Sequence, residues 1–97
     1  MIDLYEAFEQ VNDDFLKFDR VEQKLSPRPD VCAFLLLDRL VPPEDGQDMI
    51  CSATHDEYFL ETDCERLAEV ATLEDIRTLS RCGIRYDSEF ECLAVFA

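Results

Sequence analysis

His55, the chain's single histidine, stands directly before Asp56 and Glu57. Those residue types together could carry acid–base chemistry or hold a metal ion. The spacing argues against both. Adjacent side chains point to opposite faces of a strand and splay outward on a turn, so the three cannot converge on one atom. No second histidine can complete a zinc site. A hard cation would prefer the oxygens of Asp56 and Glu57, or of Asp45 and Asp48, but the glycine and twelve-residue spacing of an EF-hand are missing. The triplet reads as a polar turn, and neither a metal nor another cofactor is expected.

A nucleophilic Cys–His pair is the other chemistry to weigh. Of Cys32, Cys51, Cys64, Cys82 and Cys92, Cys51 and Cys64 lie nearest His55 in sequence. Acidic surroundings raise a thiol's pKa and weaken it as a nucleophile. Two glycines cannot build a phosphate-binding loop, and no G-x-S-x-G motif occurs. The chain is therefore expected not to be an enzyme. Five cysteines at wide spacings, with no C-x-x-C, argue against a disulfide framework. They suit small buried apolar groups in a reducing, cytoplasmic setting. The opening MIDLYEAFEQ lacks a basic and an apolar segment, so no signal peptide is expected. The longest apolar run, Val31 to Leu37, is too short to span a bilayer.

The acidic residues carry the clearest signal. The net charge is −14, from 23 acids and 9 bases among 97 residues. Residues 1–43 contribute −4 and residues 76–97 contribute zero. Residues 44–75 contribute −10, with Arg66 the one base against Glu44, Asp45, Asp48, Asp56, Glu57, Glu61, Asp63, Glu65, Glu69, Glu74 and Asp75. Some of these suit helix first turns, where the dipole favours a negative charge. Eleven acids against one base exceeds that need. Glu57 and Glu61 fall on one side of a strand, with neighbours two apart about 6.5–7 Å along it. Glu65 and Glu69 are one helical turn apart, roughly 6 Å. Phosphates along one nucleic-acid strand repeat on a similar scale. In charge and size alone, the composition is similar to that of small acidic proteins of phages and mobile elements that mimic nucleic acid. The chain repels nucleic acid and anionic membranes and attracts cationic proteins. The expected function is an inhibitor or modulator that binds the basic groove of a nucleic-acid-binding protein, such as a restriction, CRISPR or transcription component. Arg77, Arg81 and Arg85 form a short basic ridge, read as pairing with acids in the same molecule.

The elements that must position these charges follow from periodicity. Leu4, Phe8, Val11, Phe15, Phe18 and Leu25 recur at helical steps, predicting one helix over the first 25 residues, with Asp3 and Glu6 at its start. Leu4, Val11, Phe18 and Leu25 fall seven apart, which opens a second reading: a structural or adaptor protein dimerising through this helix. Pro29 opens a second helix to about Val41, whose run Val31 to Leu37 would be the most buried element. Met49–Thr54 and Tyr58–Thr62 read as a hairpin. Asp63–Val70 reads as a short helix, and Thr72-Leu73-Glu74-Asp75 as a capping box for a fourth helix stopped by Gly83. Phe90–Phe96 reads as a last strand pairing with the hairpin. The expected fold is a single α+β domain of order α-α-β-β-α-α-β, its three-stranded antiparallel sheet packed against helices.

Charge of one sign destabilises the compact state through self-repulsion. Melting temperature should therefore rise as salt increases from about 10 mM to about 150 mM, where the Debye length shrinks from ~30 to ~8 Å. A thermal melt across that series checks it, and a flat or falling trend counts against it.

Overall fold

Helix boundaries in the computed structural model, which describes residues 1–96, are written in capping chemistry. α1 (Leu4–Gln10) begins where the Asp3 carboxylate accepts the Glu6 amide at 3.1 Å. α2 (Pro29–Leu40) has proline in its first turn, where a missing N–H costs nothing, and ends before Pro42-Pro43. α3 (Cys64–Val70) is capped by Asp63, which accepts the amides of Glu65 and Arg66. α4 (Leu73–Arg81) has the expected reciprocal box: the Asp75 amide donates to Thr72 Oγ1 at 3.2 Å and the Thr72 amide to Asp75 at 2.9 Å. Gly83, at φ +97°, follows α4 in the left-handed conformation that glycine adopts without strain.

The strands are β1 (Ile50–Ala53), β2 (Glu57–Leu60), β3 (Ile84–Asp87) and β4 (Cys92–Phe96). All neighbours are antiparallel, in the order β1-β2-β4-β3. The β1–β2 hairpin and the β2–β4 pairing match the sequence-based expectation. The three-stranded sheet does not, because Ile84–Asp87 adds a fourth strand at the edge beside β4. A short β3–β4 turn makes that hairpin. In it, the Asp87 carboxylate accepts the amides of Glu89 and Phe90, and Glu91 takes φ +52°.

The expected long first helix is also corrected. It ends at Gln10, and residues 12–14 and 18–20 form two single 3₁₀ turns. Asn12-Asp13-Asp14 are weak helix formers whose side chains compete for backbone groups. The tertiary structure then takes Asp14 inward. Leu4 and Val11 still lie in the core, Phe18 packs partly against it, and Leu25 is exposed. A continuous helical seam through Leu4, Val11, Phe18 and Leu25 is therefore absent. α2 differs too. Cys32, Ala33 and Leu37 are buried, whereas Val31 and Leu35 are exposed, so it covers the core with one face only.

The core lies on one side of the sheet. Leu60, Ile84, Leu93 and Val95 from the strands meet Leu4, Phe8 and Val11 of the N-terminal segment, Leu37 of α2, Leu67 of α3, and Ile76 and Leu79 of α4. α4 is the central helix, since both Ile76 and Leu79 have no solvent exposure.

Ile76→Ala should cost about 2–5 kcal/mol, the sum of lost burial and the cavity left behind. Gly83→Ala should cost about 1 kcal/mol or more through its positive φ, and a Cβ there would sit 3.0 Å from the Leu16 side chain. Denaturant unfolding measures both, and a loss below about 0.5 kcal/mol for Ile76→Ala would contradict this placement of the core.

Candidate functional site

The arginines decide which acids stay uncompensated. Asp14, only 3 % exposed, accepts from Arg20 at 2.9 Å and from Arg77 at 2.8 Å, and Arg81 lies 3.5 Å away. Hydrogen bonds from Arg77 and then Arg20 hold its carboxyl below the usual carboxylate range; burial opposes this and the charge of Arg81 assists it. Arg77 also reaches Glu74 at 3.3 Å, and Arg85 pairs with Glu57 across the sheet. The ridge Arg77–Arg81–Arg85 is thus engaged within the molecule, as its sequence suggested.

Around α3 the balance is different. One open concavity, about 440 Å³, lies between the end of α2, the 41–49 loop and the start of α3. It gathers Asp38, Glu44, Asp48 and Asp63 beside Arg66. A second lies on the other flank of α3 and gathers Asp3, Asp63, Glu65, Glu69 and Glu91, with no lysine or arginine in its lining. Asp63 borders both, so the two make one acidic belt about α3. Arg66 pairs with Glu69 at 2.9 Å, but both are about half exposed, and such a pair contributes little. The belt recruits Asp3, Asp38 and Glu91, which the sequence reading had not assigned to the acidic face. Their positions depend on chain segments brought together only by folding.

The other predicted acids do not line either concavity. Asp45 is exposed in the 41–49 loop and Asp56 in the β1–β2 turn beside exposed His55. Glu57 is partly buried against Arg85. Glu61 is exposed near the Cys51 thiol, whose pKa is pushed up by burial and then by that carboxylate. Glu74 and Asp75 border a third and larger groove of about 740 Å³ between residues 21–25, α2 and α4. That groove balances Glu22, Glu74 and Asp75 with Arg39, Arg77 and Arg81, so it has no preference for either charge. Of the eleven acids, Glu44, Asp48, Asp63, Glu65 and Glu69 line the two concavities, and the other six do not.

The thiols give little nucleophilic chemistry. Burial pushes Cys64 up to about 11 and Cys82 up to about 12, so both are neutral thiols at pH 7. Among the described residues, no three His, Cys, Asp or Glu side chains are grouped to hold a metal ion. No described helix is long and apolar enough to cross a membrane.

Comparison with protein-family models, with curated proteins and with solved structures found no match to this chain.

Asp14 gives a direct test of how the arginines are held. Its folded pKa is depressed, so it contributes stability above the unfolded carboxyl value of about 3.9 and loses it as pH falls through the folded one. Asp14→Asn should be less stable than the wild type at pH 7, and the gap should close as pH drops from about 4 toward 2. Parallel denaturant curves measure it, and a gap independent of pH would show that the carboxylate charge is not the contributor.

Proposed function

We propose that the protein is a non-enzymatic acidic binding module that occupies the basic groove of a nucleic-acid-binding protein and thereby inhibits or modulates it. The observation that carries this reading is the belt about α3. Seven acids, Asp38, Glu44, Asp48 and Asp63 on one flank and Glu65, Glu69 and Glu91 on the other, are joined there by Asp3, with Arg66 the one basic side chain among them and the Met1 amino terminus alongside. A uniform solubilising charge would be spread over the surface. Here Arg20, Arg77 and Arg81 gather at Asp14 and Arg85 at Glu57, so the belt keeps Arg66 as its one basic side chain. The field of such a belt steers a cationic partner and excludes nucleic acid from the same surface.

The groups involved suit electrostatic contact. Glu44, Asp48, Glu65 and Glu69 are exposed and reach solvent without rearrangement. Asp63 holds the α3 amides and keeps the helix in place among them. Glu57, which the sequence alone would have placed in the contact surface, is occupied by Arg85. It belongs in the fold's own ion pairing in this proposal.

The test is affinity capture at low and high salt, with the retained protein identified and its nucleic-acid binding measured by competition. A basic nucleic-acid-handling partner should be retained at about 50 mM salt and released as the screening length shortens. Glu44→Lys with Glu65→Lys and Glu69→Lys should weaken its binding by at least about tenfold, through slower association above all. Glu74→Lys, on the balanced groove, should leave it nearly unchanged. Retention insensitive to both salt and the triple reversal would sink the proposal.

A further inference from the structure

The sheet has a second face, turned away from the cluster that the helices pack against. Register places Ser52, Phe59, Ala94 and Arg85 in one row across β1, β2, β4 and β3, with Glu57 opposite Phe96 beside it. Phe59 and Ala94 are 8 % and 0 % exposed, yet neither belongs to the core cluster on the helical side. Phe90 shelters Phe59 from the β3–β4 turn, edge to face at 5.5 Å between ring centres. Phe90 and Phe96 themselves are 63 % and 54 % exposed. An aromatic patch is thus left open to solvent, and Phe90 is flanked in the chain by exposed Glu89 and Glu91.

Arg85 indicates what such a patch accepts. Its guanidinium lies 4.6 Å from the centre of the Phe96 ring and pairs with the Glu57 carboxylate. A ring face and a carboxylate together suit a planar guanidinium, which stacks and forks at once, better than they suit a compact ammonium. Phe90, exposed on the same face and flanked in the chain by acids, offers a second ring for a guanidinium. Glu91 also borders the belt about α3, so the two surfaces adjoin. Two copies meeting through this face would set its acids against one another, whereas a cationic segment is drawn to it.

We propose that the open sheet face takes an arginine-rich segment of a basic partner protein, a guanidinium stacking on Phe90 beside the Arg85–Phe96 stack already present. The proposal rests on the reading of the chain as a ligand for a basic protein and adds a preference for arginine over lysine. The belt supplies long-range attraction, and the rings supply discrimination between two residues of equal charge.

The experiment titrates the labelled full chain with nona-arginine and with nona-lysine at about 150 mM salt, following backbone amides by NMR. Nona-arginine should bind about tenfold tighter, moving the amides of residues 57–61 and 89–96 together with those of α3. Phe90→Ala combined with Phe96→Ala should bring nona-arginine down to the nona-lysine affinity and leave nona-lysine unchanged. If that double variant does not fold, Phe90→Leu keeps the apolar bulk without the ring and should lose the same preference. Equal affinity of the two peptides at a salt-sensitive α3 surface would overturn the arginine site and leave the acidic reading standing. Binding of nona-arginine on the sheet face without any response at α3 would do the reverse. Peptide-free shifts on this face that grow with protein concentration would assign it to a second copy and overturn the proposal.

Discussion

Asp14 is the carboxylate on which the arrangement of the N-terminal third depends. It comes from a single 3₁₀ turn and draws Arg20, Arg77 and Arg81 to one point. A buried carboxylate is stable only where such partners meet it. The contact is reinforced by the backbone around it: the Leu16 amide donates to the Ser80 carbonyl at 3.0 Å, and Ser80 Oγ donates to the Val11 carbonyl at 3.5 Å. Leu16 accepts a positive φ of 62° to follow this path, and its side chain lies over Gly83, where no Cβ stands in the way. The N-terminal segment is thereby fixed along α4, the most buried helix.

That anchoring also shapes the electrostatics. Three of the nine basic residues converge on one carboxylate, and a fourth, Arg85, is drawn across the sheet to Glu57. With those cations held on the α4 and sheet sides, the acids about α3 have little to answer them. Charge separation on the surface is then a by-product of how the interior is tied together. The same residues that stabilise the fold are thereby kept from the acids about α3.

Much of the architecture was legible where local rules act alone. Thr72 and Asp75 announced α4, Pro29 opened α2, and alternating side chains gave the β1–β2 hairpin and β4. The misreadings have physical causes. The stripe from Leu4 to Phe18 has helical spacing because its members do face the core, but Asn12-Asp13-Asp14 break the helix, and a buried Asp14 can be recognised only with Arg77 and Arg81 in view. β3 was within reach: Ile84 and Tyr86 alternate with Arg85 and Asp87 at a strand's period, and its four-residue length beside a helix stop hid it. For the acidic face, Glu65 and Glu69 could be grouped from helical spacing. Asp3, Asp38 and Glu91 could not, because tertiary folding alone brings them near α3.

β1 is exposed at all four of its residues and pairs on one side only. Its outer row of amides and carbonyls is a template on which another chain's strand can add. No proline or lysine within the strand blocks that addition, and Ile50, Cys51, Ser52 and Ala53 carry no charge. What stands guard is the electrostatic repulsion between whole molecules, with Asp48 and Asp56 close to either end of the strand. Carboxylates that invite a cationic guest thus also keep like molecules from joining edge to edge, so solubility and recognition draw on a single reserve of charge.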